Sequence, residues 1–188
     1  AGVCGNPTQG PPKHCVAMRD IGQGPRAKME HVLAIVAPGQ GAQTPGFLAP
    51  WLEDAHFASR LQELSDVVGL DLVHYGTEAD AETIKDTAIA QPLLVAAGLL
   101  AGEALTRSVP FGCVDVLAGH SVGEVTAAAA AGVLAGSDAI VFVRERANGM
   151  AEASALRPTT MAAVVRGEPD AVLAAIEAVG ATAANNNG

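Results

Sequence analysis

Aromatic side chains are nearly missing from this 188-residue chain: they make up 3% of it, as one Trp, one Tyr and four Phe. Its core must be filled instead by the small aliphatic residues that bring the hydrophobic share to 49%. Such side chains suit helices packed closely on a parallel sheet. Positive charge is scarce too. Eleven Lys and Arg face 20 Asp and Glu, a net charge of −9, and no basic stripe interleaved with aromatics runs along the chain. That excludes the usual electrostatic footprint of a nucleic-acid binder.

Cysteine is confined to Cys4, Cys15 and Cys113, with no CxxC pair and no metal-ligand spacing to the five histidines. An odd, scattered set reads as reduced thiols, which predicts a cytoplasmic setting and no bound metal. Long apolar runs are lacking as well. Pro92 to Gly102 is too short for a membrane span and is closed by Glu103, while Ala127 to Val143 is interrupted by Gly132, Gly136 and Asp138. No membrane helix is expected. Histidine is absent after His120, a lack that matters below.

What is present fits one main domain and the start of another. Residues 1–28 show no period and many Gly and Pro, and read as a disordered leader ahead of a native start at Met29. Val32 to Ala37 is a continuous apolar run, as in a strand buried on both faces of a parallel sheet. It ends in the loop "PGQGAQ". Helical patterns follow around 47–53 and 56–68, then the polar linker "GTEADAETIKDT" and a long buried helix from Gln91 to Thr106. A second strand, Val114 to Ala118, precedes helices over Ser121–Leu134 and Ser137–Ala153. After Pro158 a strand ("TTMAAVVRG"), a helix (Asp170–Val179) and another strand ("ATAANNNG") are expected. The chain thus divides into a large α/β subdomain over 29–157 and the beginning of a small α+β subdomain over 158–188. Its ending just after a predicted strand suggests a sequence cut in mid-course.

The stretch "GHSVGE", residues 119–124, admits two readings. Ser121 followed by Glu124 fits a capping box, which would make it an ordinary helix start. That box needs no glycine, yet Gly119 and Gly123 flank the serine directly between a buried strand and a helix. This is the pattern of a nucleophile elbow, whose tight turn exposes a serine Oγ. The Val122 N–H at the helix N-terminus would then favour developing negative charge. The glycine-rich loop after the first strand can bring a second donor to the same edge of the sheet. The Gln40 N–H is the candidate, although "GQG" alone also reads as a mobile turn.

Arg146 adds separate evidence. Ala139, Ile140, Val143, Ala147 and Met150 form one apolar stripe at about 100° per residue, and Arg146 falls roughly 20° beyond its edge. A partly buried arginine needs an anion. That anion is a structural carboxylate or a substrate, unless the side chain is simply solvated.

In the order "GQGAQ", "QPLL", "GHSVGE", "RERANGM" and "ANNNG", with an arginine 25 residues after the serine, the chain resembles the malonyl-CoA:acyl carrier protein transacylases from about Met29 onward. The resemblance implies an α/β-hydrolase-like parallel sheet with helices and an inserted ferredoxin-like small subdomain. It implies Ser121 as nucleophile, Val122 and Gln40 as oxyanion donors, Arg146 as the grip on the malonyl carboxylate, and Gln91 as an active-site glutamine. Asn185 and Asn187 match cleft asparagines, and His120 matches the structural neighbour of the nucleophile. Malonyl-CoA and the phosphopantetheine of acyl carrier protein are the implied substrates of a cytoplasmic monomer with no bound cofactor, no nucleic acid and no membrane. The family's catalytic histidine lies beyond the inserted subdomain, and no histidine here matches it. An acyltransferase domain of a modular polyketide synthase shares the serine motif. An esterase shares the elbow but has no use for Arg146, and a carrier-binding module without catalysis is a further reading.

Overall fold

The computed structural model describes residues 32–108, 114–157 and 159–185. In chain order it forms β1 (Ala34–Ala37), α1 (Ala55–Val68), α2 (Leu72–Thr77), α3 (Thr87–Ser108), β2 (Val116–Gly119), α4 (Gly123–Ala130), α5 (Gly136–Leu156) and α6 (Pro169–Ala178). Short 3₁₀ turns span Ala49–Glu53 and Thr83–Lys85. The two strands pair in parallel, from Ala34 opposite Val116 to Ala37 opposite Gly119. A parallel pair needs a long crossover, and α1 to α3 supply it.

Local chemistry sets the helix ends. Asp54 accepts from the His56 N–H at 2.8 Å to cap α1, which stops at Gly69 in the left-handed region, φ 59°. Asp71 caps α2 through the His74 N–H at 2.9 Å. Buried Ser65 joins the two helices: its Oγ donates to the Leu61 carbonyl and accepts from the Leu72 N–H, at 2.9 and 3.1 Å.

The core gathers around α3. Leu93, Val95, Ala96 and Leu100 are fully buried, together with Leu48, Leu61 and Leu72 from the crossover, Val122 from the elbow, and Ile140 and Val143 from α5. The helix is longer than the sequence pattern indicated, and Thr87–Arg107 is long and apolar enough, by length and composition, to cross a membrane. Its place at the centre of this core accounts for that composition. Pro92 sits inside α3 and cannot donate to the Ala88 carbonyl. The freed oxygen accepts instead from Arg144 Nη1 at 2.7 Å, which ties α5 to the first turn of α3.

The strands depart from expectation. Ile35, Ala37, Leu117 and Gly119 are half-buried, but Ala34, Val36, Val116 and Ala118 are exposed, Val36 by 73%. α4 packs on this pair of strands, and the alternation shows one covered face. The other face has no layer over it among the described residues, so burial on both faces is not found.

The described residues separate into two compact units, the first ending at Ala153 and the second beginning at Ser154. In the second, α6 forms as the pattern indicated, opened by Pro169 in its first turn. Among the described residues, the strands expected over Thr159–Gly167 and from Ala181 are not formed, the second being described only as far as Asn185. Neither segment finds a partner strand among the described residues, and a strand without a ladder is not stable. The predicted leader, residues 1–28, lies outside the described residues, as does Asn187.

Candidate active site

β2 ends at Gly119 and α4 begins at Gly123, so the chain must reverse within three residues. Ser121 takes the strain, with φ +54° in a region that non-glycine residues rarely occupy. Space explains the glycines. A Cβ on Gly119 would overlap the backbone of Gly123 and Glu124, and one on Gly123 would overlap the carbonyl oxygens of Ala37 and Pro38 at the end of β1. The turn therefore closes on itself and against the neighbouring strand.

No capping box forms. Val122 occupies the N-cap position of α4 with no side-chain cap, and the Glu124 N–H bonds to the Ser121 backbone carbonyl at 3.0 Å. The Ser121 Oγ faces outward and accepts from Arg146 Nη2 at 3.2 Å. The geometry is that of an elbow.

Arg146 is half-buried on α5, beside a stripe in which Ala139, Ile140, Val143 and Ala147 are fully buried. Met150, at the end of the stripe, is 42% exposed. The guanidinium reaches Ser121 with Nη2 and donates through Nη1 to Gln91 Oε1 at 2.5 Å. Gln91 is buried, and its Nε2 donates to Met150 Sδ at 3.3 Å and, at the limit of a bond, to Gln40 Oε1 at 3.5 Å. These acceptors fix the amide orientation, because a flipped Gln91 would set its oxygen against two acceptors and its nitrogen against a guanidinium. Among the described residues, no carboxylate pairs with Arg146. The structural salt bridge considered for it is not present there.

Arg146 thus joins Ser121 to Gln91, and Gln40 is reached through Gln91. Neither the Val122 N–H nor the Gln40 N–H donates to a protein acceptor among the described residues. His120 leaves its ring beside Gly39, where a Cβ would strike it. His56 and His74 are bonded to Glu103 and Glu78, at 3.2 and 3.3 Å. No described histidine bonds to the Ser121 Oγ. Asn185 is exposed within the second unit.

Sequence reasoning missed two partners. Met150 lies one helical turn beyond Arg146, a spacing that places both on one side of α5, yet it was read only as part of the apolar stripe. Arg144 gave no signal, because the vacancy it fills arises from Pro92 on another helix.

The acyl transferase domain family matches residues 35–188. The malonyl CoA-acyl carrier protein transacylase of Mycobacterium tuberculosis is 46% identical over 157 residues, covering 83% of this chain and 52% of that protein. The Mycolicibacterium smegmatis protein of the same name is 49% identical over 140 residues, covering 74% of this chain and 48% of its own length. The crystal structure of MCAT from Mycobacterium tuberculosis superposes with a TM-score of 0.75 at 46% identity, covering 80% of this chain and 50% of that one. A malonyl-transacylase in complex with its type II PKS acyl-carrier protein has a TM-score of 0.60 at 33% identity, over 65% of this chain and 40% of that one. The chain spans about half the length of the curated relatives it matches. With its elbow serine and arginine brought together as described, this chain belongs to the acyl transferase domain family.

Proposed function

We propose that the protein carrying this chain transfers a malonyl group from malonyl-CoA to the phosphopantetheine thiol of acyl carrier protein, through a malonyl ester on Ser121. The observation that carries this reading is Arg146: a half-buried guanidinium, aimed at the serine hydroxyl and bonded, among the described residues, only to neutral groups. Burying such a charge without a counter-charge is costly. A carboxylate on the acyl group would supply that counter-charge next to the nucleophile. An esterase acting on neutral esters would gain nothing from it. The names of the relatives point to the same substrate and partner.

In the proposed reaction, Ser121 Oγ attacks the thioester carbonyl and gives up its proton to a base. The new C–O bond forms as the carbonyl becomes an oxyanion, which the Val122 and Gln40 N–H groups stabilise. Removing one such donor costs about 10²–10³-fold in rate. The oxyanion collapses, the C–S bond breaks and CoA leaves as the thiol after taking a proton. The carrier's pantetheine thiol then attacks the serine ester and regenerates Ser121. The resemblance assigns the base to a histidine that none of the five in this chain matches, and general-base catalysis is worth about 10²–10⁴-fold.

The finer architecture belongs to this proposal too. The parallel β1–β2 pair followed by an elbow supports an α/β-hydrolase-like large subdomain, and α6 supports the first helix of a ferredoxin-like small one. The expected setting is a monomer in the cytoplasm.

The test is intact-mass spectrometry of the full-length protein after exposure to malonyl-CoA. One added malonyl group, mapped to Ser121 and abolished by Ser121→Ala, is the expected result. Labelling that persists in the alanine variant contradicts the assignment.

A further inference from the structure

Gln43 has no part in the chemistry above, yet both ends of its side-chain amide are engaged. Its Oε1 accepts from the Gly41 N–H at 2.8 Å, and its Nε2 donates to the Ile84 carbonyl at 3.0 Å. A side-chain amide offers an acceptor and a donor on two separate atoms, and here each finds a backbone partner. Gly41 has φ +107°, a conformation that side chains rarely adopt. The bond to Gln43 holds its peptide plane in that setting. Ile84 is 2% exposed and belongs to the core, so its carbonyl is a fixed point.

The neighbouring Gln40 is tied to the same strut. Its Nε2 donates to the Lys85 carbonyl at 3.1 Å and to Thr87 Oγ1 at 3.2 Å. The strut itself is braced at Asp80, which accepts from the Thr83 N–H at 2.8 Å, and at Asp86, which accepts from the Ala88 N–H at 2.7 Å. Three side-chain bonds therefore link an exposed loop, residues 40–43, to the turn that leads into α3. The peptide so held joins Gln40 to Gly41 and shares the Gln40 Cα with the preceding peptide, the one that carries the Gln40 N–H.

We infer that Gln43 is a positioning residue for the oxyanion hole: by bridging Gly41 and Ile84, it holds the Gln40 N–H at the place where the oxyanion forms. The inference rests on the reading of that N–H as the second oxyanion donor. A donor must lie about 2.7–3.1 Å from the oxyanion, and a misplacement of about 1 Å can cost ~10²-fold in rate. Both side-chain bonds of Gln43 go to the backbone of Gly41 and Ile84 and neither goes to Ser121, so its removal is expected to act on kcat and leave the KM for malonyl-CoA in place.

Two readouts on the same full-length variants test this. In Gln43→Ala, amide hydrogen exchange at Gly41 rises about tenfold or more, and kcat for malonyl transfer falls by ~10–10²-fold with KM unchanged. Gln43→Glu keeps an acceptor for Gly41 but cannot donate to Ile84, and falls between the wild type and Gln43→Ala. Unchanged exchange at Gly41 in Gln43→Ala overturns the clamp, whatever the kinetics. Faster exchange with unchanged kcat overturns the positioning role and places the fault in the reading of Gln40 as a donor. A rise in KM alone also overturns it. Should Gln43→Ala fail to fold, Thr87 serves through the second tie. Thr87→Val loses the Oγ acceptor at constant size and lowers kcat, while Thr87→Ser keeps the acceptor and restores it; equal kcat in the two variants overturns the inference.

Discussion

Two partly buried arginines, Arg60 on α1 and Arg146 on α5, meet opposite surroundings. Arg60, with a side chain 29% exposed, is enclosed by acids: Nε bonds Glu103 and Nη1 bonds Glu63, both at 2.9 Å. His56 shares Glu103 at 3.2 Å, and Arg107 lies over the Phe57 ring, 4.9 Å from its centroid. Burial works against the Arg60 charge, but hydrogen bonds and Coulomb attraction from Glu63 and Glu103 outweigh it and raise its pKa above the ordinary arginine value. Arg146 has a glutamine oxygen and a serine hydroxyl instead. Charge at the first site is balanced within the fold and holds α1 to α3. Charge at the second is left open beside a strained serine, which is what a site for an anionic substrate requires.

Replacing each arginine sharpens this contrast. Arg146→Ala should lower malonyl transfer by roughly two to four orders of magnitude, the equivalent of breaking a buried pair at about 3–5 kcal/mol. Acetyl transfer, which never used the pair, should fall far less. Arg146→Lys should not restore the loss, because a carboxylate is gripped best by two parallel N–H groups. A smaller effect is expected from Gln91→Leu, which removes the partner that orients the guanidinium: about tenfold in malonyl transfer, with a smaller change for acetyl. The smallest belongs to Arg60→Ala. It should cost about 1 kcal/mol of stability, a fall of roughly 2–4 °C in Tm, and leave the preference for malonyl over acetyl unchanged. Calorimetry and transfer assays with both acyl groups check all three. A selectivity change in Arg60→Ala as large as that in Arg146→Ala would erase the distinction between the two sites.

The elbow was legible in the sequence because everything it needs is contiguous: a strand, two glycines around a serine, and a helix. The place of Arg146 was legible for a related reason, since the helical period fixes which side of α5 it shares with the buried residues. What required the structure is non-local. The face of β1 and β2 that stays uncovered among the described residues depends on which layers cover the sheet, and an apolar run does not reveal that. The strands expected after Pro158 have the right composition, but strand formation needs a partner, and none is present among the described residues. Gln43 meets Ile84 across 41 residues of chain, a pairing that no local pattern announces. Even the capping box failed on a non-local point: Ser121 is drawn to Arg146, 25 residues away, rather than to its own helix.

Binding without turnover tests the open charge most directly. In the full-length Ser121→Ala protein no acyl transfer can follow, so titration calorimetry with malonyl-CoA and acetyl-CoA compares two ligands that differ by one carboxylate. With Arg146 in place, malonyl-CoA should bind about tenfold tighter or more, and adding Arg146→Ala should remove that difference, in line with about 1.4 kcal/mol per factor of ten. Equal affinities with Arg146 present, or a malonyl preference that survives its removal, would contradict the assignment of this arginine to the substrate's carboxylate.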